Sequence, residues 1–259
     1  ERERGSILYG VPAMHNALAM LRREVVRSYD ISSLRVASTA GAKTSPQLMK
    51  MLEEKLGLTL CETYGLSELS VVSMSTLADQ RLGTVGKPIC DLRIIGDDGE
   101  EVASGEIGEA IFRVPWAMKE YYKAPELTAQ VLRGGWFYTG DSVRMDGDGY
   151  LEYVEKKSFI IVTPAGLKIS PWEVENLLLQ HPGVADVAYV GVKGARDKLI
   201  PTAFVIPEEG QSVTEDELAS FCYRSLADFK VPKKFKFVES LPKTGSGKIL
   251  RRALQEGWK

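Results

Sequence analysis

Between residues 34 and 61 the order of residue types leaves few folds open. Leu34-Arg35-Val36-Ala37-Ser38 reads as a short strand, followed by the small-residue turn Thr39-Ala40-Gly41-Ala42-Lys43. Ser45-Pro46 then opens a helix to about Leu56, with Ser45 as N-cap and Pro46 at the first helical position, where a missing N–H costs nothing. Leu48, Met49, Leu52 and Leu56 recur at helical spacing, which predicts one face packed on a core. Leu58-Thr59-Leu60-Cys61 predicts the next strand, which delivers the chain to Tyr64. Strand, helix, strand is a βαβ unit, and the strand ends of such sheets are where small molecules bind.

The remaining chain sorts around that unit. Ile7-Leu8-Tyr9-Gly10-Val11 is an apolar strand stopped by Pro12. His15, one of two histidines, reads as a satisfied structural residue before it reads as a pocket residue. From about 82 to 154 the pattern changes to short β runs. Leu92-Arg93-Ile94-Ile95 alternates, and Asp97-Asp98-Gly99 is a hairpin signal. Glu106 and Glu109 read as surface strand charges, because nothing apolar surrounds them to raise a pKa. The charged stretch Glu155-Lys156-Lys157-Ser158 marks a boundary. Behind it come strands near 159–162, 184–192 and 200–206, a helix from Pro171 to about Gln180, and a helix capped by Thr214.

Composition removes several classes of function. The chain has 259 residues, 44% hydrophobic and 26% charged, with a formal net charge of −2, so no basic field argues for nucleic acid. The basic–apolar alternation of residues 233–238 lacks an aromatic stacking platform and reads as a half-buried strand. Cys61, Cys90 and Cys222 are far apart and contain no paired-cysteine motif, which points to free thiols in a reducing, cytoplasmic setting. No apolar run reaches the roughly 18 residues of a membrane span.

Three short stretches carry chemistry. Pro242-Lys243-Thr244-Gly245-Ser246-Gly247-Lys248 is a pliant loop closed by a lysine, ahead of Ile249-Leu250-Arg251-Arg252. It is not a Walker phosphate loop, since the first glycine is missing and Ile249 stands where Ser or Thr must bind magnesium. Tyr64-Gly65-Leu66-Ser67-Glu68 and Tyr138-Thr139-Gly140-Asp141 precede it. Together, in this order, these pieces resemble the adenylate-forming superfamily of acyl-CoA synthetases and their relatives, over residues 34–252.

The resemblance implies a reaction and a set of roles. A carboxylic acid attacks the α-phosphate of ATP, giving acyl-AMP and pyrophosphate, and a thiol, usually of coenzyme A, then takes the acyl group. Gly41, Ala42, Lys43, Glu62 and Thr63 would border the nucleotide. Tyr64 would pack on adenine, with Gly65 allowing close approach. Ser67 stands where Thr is usual and would donate to phosphate, and Glu68 would hold Mg²⁺. Asp141 would accept the ribose hydroxyls, and Lys248 would bridge carboxylate and α-phosphate during adenylation. Gly166, Leu167 and Lys168 match the loop that replaces Lys248 at the thiol step, after the small domain rotates. Lys156 departs from the usual Arg near the ribose, and Ser158 from the usual Asp or Lys at the hinge.

The implied architecture is mixed α/β and α+β. Residues 1–155 are expected to be the C-terminal part of the large AMP-binding domain, including the β subdomain, and 156–259 a small mobile α+β domain. No family phosphate loop precedes Tyr64, so the chain is expected to start partway through a partial large domain, with impaired turnover. Two alternatives stand beside an AMP-forming acid–CoA ligase: an adenylation domain that loads a carrier protein, and a nucleotide- or acyl-AMP-binding module without turnover.

Overall fold

The computed structural model describes residues 2–194, 199–244 and 248–256. The chain divides into two compact units, Glu1–Val154 and Glu155–Lys259. The first unit opens with a sheet in the order β1–β2–β3–β4–β5. Strands β1 (Ile7–Gly10), β2 (Val36–Thr39) and β3 (Leu60–Leu66) run parallel. Strands β4 (Ser70–Met74) and β5 (Lys87–Pro88) continue the sheet antiparallel.

Helices α1 (Pro12–Met20), α2 (Arg23–Arg27) and α3 (Pro46–Leu56) accompany the parallel strands. The Leu48 N–H donates to Ser45 Oγ at 3.2 Å, and Gly57 ends α3 with φ of 66°, a conformation glycine adopts without cost. Ala19 of α1 and Leu48, Met49 and Leu52 of α3 share one core with Ala37 and Leu60 of the sheet.

The expectation of a partial large domain is corrected here. Residues 1–33 carry no motif, yet β1 pairs with β2 in the register Ile7↔Val36, and Ala19 is 1% exposed in the same core as Leu52. The first unit is a large α/β unit whose sheet and core are built from residue 7 onward.

Its second sheet runs β10–β9–β7–β6, from β6 (Asp91–Ile95), β7 (Gly108–Arg113), β9 (Trp136–Met145) and β10 (Leu151–Lys156), with β8 (Leu132–Arg133) paired to β9. Helix α4 (Pro125–Val131) precedes β8. Phe112, Phe137, Val143 and Leu151 pack with Tyr64, Leu69 and Val72 of the β3–β4 hairpin.

The second unit is α+β. Strands β11 (Ile161–Val162) and β12 (Lys168–Ile169) form a small hairpin. Helix α5 (Pro171–Leu178), β13 (Val184–Lys193), β14 (Leu199–Pro207), α6 (Glu215–Tyr223), β15 (Lys234–Phe237) and α7 (Arg251–Gln255) follow. β13 pairs antiparallel with β14, and β14 parallel with β15. Val187, Tyr189, Ala203 and Val205 pack with Val174, Leu178, Leu218 and Cys222. Ala188, Val190 and Phe204 pack with Leu241 and Leu254. Burial on both faces is why β13 reads as a nearly continuous apolar run. Among the described residues no helix is long and apolar enough to cross a membrane.

Candidate active site

The carboxyl ends of the parallel strands in the first unit gather the residues 41–44 and 62–63. The Ala40 N–H donates to the Gly10 carbonyl at 3.3 Å, so the loop after β2 starts at the end of β1. Gly41 turns it with φ of 87°. Thr63 Oγ1 donates to the Thr39 carbonyl at 3.2 Å, and the Thr44 N–H donates to Glu62 Oε1 at 3.1 Å. Glu62 is 3% exposed, and burial pushes its carboxyl up to about 7, against weaker opposing effects of the Thr44 bonds and the Lys43 charge. Lys43 Nζ lies 3.5 Å from Glu152 Oε1. His15 is fully buried with Nε2 3.1 Å from the Ser38 carbonyl, which accepts when that nitrogen carries the proton.

Tyr64 and Asp141 meet across the unit. The Tyr64 hydroxyl donates to Asp141 Oδ2 at 2.6 Å, linking two motifs that lie 77 residues apart. The Tyr64 ring packs near Phe112 and Tyr153, with centroids 6.0 and 5.8 Å away, and its hydroxyl pKa is held well above the ordinary value, first by burial and then by the Asp141 charge. The stretch of β9 that carries Asp141, where its register with β7 shifts, is held by neighbouring groups. Thr139 Oγ1 donates to the Ala110 carbonyl at 2.7 Å, and the Gly140 N–H donates to Glu109 Oε1 at 3.1 Å. Glu109, read from sequence as a surface charge, is half-buried and orients the motif.

Gly65 makes its close approach to protein. A Cβ there would stand 2.2 Å from the Ser70 carbonyl oxygen, at the bulge where β3 and β4 change register. Ser67 and Glu68 occupy the turn of this hairpin. The Tyr121 hydroxyl donates to Glu68 Oε1 at 2.8 Å, the Met118 N–H to the Glu68 carbonyl at 2.6 Å, and the Trp116 indole N–H to the Leu69 carbonyl at 2.7 Å. Sequence reasoning missed Tyr121 and Trp116, which lie 53 and 47 residues from their partners. No group of three or more His, Cys, Asp or Glu among the described residues could cage a metal. A lone carboxylate at a turn nevertheless fits Mg²⁺, which takes most of its ligands from phosphate and water.

In the second unit, Lys248 is exposed and its backbone closes a narrow hairpin. The Thr244 N–H donates to the Lys248 carbonyl at 2.8 Å, and the Lys248 N–H to Thr244 Oγ1 at 3.1 Å. Lys243 and Ile249 bridge across it, while Gly245, Ser246 and Gly247 lie outside the described residues. Gly166 and Leu167 form the turn of the β11–β12 hairpin and Lys168 opens β12. Gly166 has φ of 79°, and the Thr163 N–H donates to the Leu167 carbonyl at 2.9 Å. Lys156 ends β10, with its N–H on Glu155 Oε1 at 2.9 Å, and Ser158 lies in the single 3₁₀ turn Lys157–Phe159.

Comparison with known proteins now adds its weight. Residues 1–122 match the family model described as AMP-binding enzyme, and residues 173–248 match the AMP-binding enzyme C-terminal domain. The chain is 39% identical over 257 residues to a feruloyl-CoA synthase of an Amycolatopsis species, covering 97% of this chain and 51% of that protein. It superimposes with a TM-score of 0.86 on an anthranilate CoA ligase in complex with anthranoyl-AMP, at 30% identity, covering 100% of this chain and 51% of the other. ATP-bound MatB from Rhodopseudomonas palustris gives a TM-score of 0.91 at 27% identity, covering 99% and 52%. The chain thus spans about half the length of the relatives it matches. The expectation of a resemblance that starts at residue 34, in a C-terminal piece, is corrected: the AMP-binding match runs over residues 1–122 and so takes in residues 1–33 as well. By its two matched regions, which together span most of the chain, the chain belongs to the AMP-binding enzyme family.

Proposed function

We propose that this protein is an AMP-forming acid–CoA ligase. The carboxylate oxygen of an acid bonds to the α-phosphorus of ATP, and the bond to pyrophosphate breaks. The thiol of coenzyme A then adds to the acyl carbon and AMP leaves. The observation that carries this reading is the 2.6 Å bond between Tyr64 and Asp141, which unites the two nucleotide motifs at one place.

Roles follow from chemistry. Gly41, Ala42, Lys43, Glu62, Thr63, Tyr64, Gly65 and Asp141 shape the nucleotide side, with Lys156 supplying a point charge from the second unit. Ser67 donates to phosphate, and Glu68 would hold Mg²⁺, a cation that offsets phosphate charge. Lys248 offers its ammonium where acid carboxylate and α-phosphate, both anionic, must meet. Gly166, Leu167 and Lys168 serve the coenzyme A step, and Ser158 the hinge. In this assignment residues 1–155 belong to the large AMP-binding domain, with the β subdomain at about 82–154, and 156–259 form the small C-terminal domain.

Acid-dependent ATP–pyrophosphate exchange, followed by thioester formation with coenzyme A, tests the proposal over a panel of aromatic and aliphatic acids. Exchange without transfer to coenzyme A would favour carrier-protein loading. AMP binding without exchange for any acid would favour a binding module.

A further inference from the structure

Helix α7 has only five residues, Arg251–Gln255, yet part-buried polar contacts to β13 hold it at both ends. β13 lies at one side of the order β13–β14–β15, so half of its backbone groups face away from β14 and need other partners. At Tyr189 they are satisfied by side chains. Its N–H donates to Glu175 Oε1 at 2.6 Å, and its carbonyl accepts from Arg251 Nη1 at 3.1 Å. The Gly191 carbonyl accepts from Gln255 Nε2 at 3.4 Å. Four helical residues advance about 6 Å and two strand residues about 6.6 Å, so Arg251 and Gln255 meet alternate carbonyls of the strand.

Arg251 also joins two carboxylates. It holds Glu175 through both Nη atoms, at 2.5 and 2.8 Å, and its Nη2 lies 3.2 Å from Glu155 Oε2. Each of the three side chains is at most 10% exposed, where a forked guanidinium is worth far more than a surface charge. Burial raises the Glu155 pKa, Arg251 opposes that most strongly, and the charge of Lys248 also lowers it. Lys248 therefore lies within the field of this cluster, three residues ahead of the guanidinium. The Leu250 N–H, between them, donates to the Pro242 carbonyl at 2.8 Å.

We infer that Arg251 is a positioning residue for Lys248. Its guanidinium ties the base of the Lys248 hairpin to the β13 edge through Glu175 and to the opening residue of the second unit through Glu155. The direction in which Lys248 leaves the fold is set by this buried network. Arg251 itself touches no substrate. The inference rests on the role of Lys248 proposed above.

The test compares R251K, E155Q and K248A in the whole protein. Exchange of pyrophosphate into ATP reads the first half-reaction, and thioester formation from supplied acyl-adenylate and coenzyme A reads the second. Lysine keeps the charge but loses the fork. R251K is expected to lower the exchange kcat by about tenfold to a hundredfold, the scale of a misplaced catalytic group. KM for ATP and the thioester rate should stay within about twofold, as should the E155Q thioester rate, while E155Q exchange falls by a smaller factor than in R251K. Parental exchange in R251K, or equal loss in both half-reactions, overturns the inference. Should R251K fail to fold, E155Q decides by the same criterion: selective loss supports the inference, and no loss or equal loss overturns it. K248A with parental exchange removes the lysine assignment and the inference with it. A K248A variant dead in exchange beside a parental R251K sinks the inference alone.

Discussion

The two sets of candidate residues are presented in opposite ways. In the first unit, Glu62, Tyr64 and Asp141 are buried at 3%, 8% and 2% exposure and already engaged with protein. In the second, Lys248 and Lys168 are exposed on hairpins, and the order around Lys248 lies beneath it, in Arg251, Glu155 and Glu175. A group that shapes a cavity gains from low dielectric and fixed partners. A group that must deliver charge to a ligand needs reach, with rigidity only at its root.

Three experiments press on that contrast. The largest effect belongs to the exposed side: Lys248→Ala should lower acyl-adenylate formation by roughly 10²–10³-fold, the scale of losing one preorganised electrostatic donor. Thioester formation from supplied acyl-adenylate should stay near the parental rate, and equal damage to both would erase the distinction. Next comes Glu62, whose carboxyl is pushed up to about 7 by burial. The folded state keeps a proton that the unfolded chain releases in the ordinary carboxylate range. The stabilisation is therefore full at acid pH and is lost as pH rises through about 7, with an upper bound of about 3 kcal/mol. Urea unfolding followed across that window should show the decline, and Glu62→Gln should flatten it. An unchanged slope in the Gln variant would mean another group titrates. The smallest effect is on binding: Asp141→Ala should weaken AMP affinity by about 1.5–3 kcal/mol, as for hydrogen bonds to a charged group. Calorimetry giving the parental affinity would leave Asp141 a purely structural partner of Tyr64.

Local signals in the sequence were legible where one segment decides its own structure. Ser45 and Pro46 start α3, Leu56 ends it, and Thr214 caps α6 by accepting the Glu217 N–H at 3.2 Å. The turn after Ile95 also closes as its residues suggest, with the Gly96 N–H on the Glu100 carbonyl at 2.8 Å. Failures began where pairing across the chain decides. β3 runs on to Leu66 because β4 returns alongside it. Glu109 looked solvated because its partner Gly140 reaches it only once β7 and β9 align. The bond between Arg251 and Glu175 was equally out of local reach, since the two lie 76 residues apart. Residues 1–33 offered no motif, and their place in the core is a matter of shape and register.

The hairpin end at residues 67–69 has one more consequence, which is entropic. Short exposed turns usually fluctuate, and a ligand that orders one loses affinity in doing so. Here Gly65 leaves room for the Ser70 carbonyl where a Cβ would clash, and Met118, Trp116 and Tyr121 make hydrogen bonds to Glu68 and Leu69 of the turn. Were Ser67 and Glu68 to meet phosphate as proposed, these bonds would leave the ligand less freedom to remove.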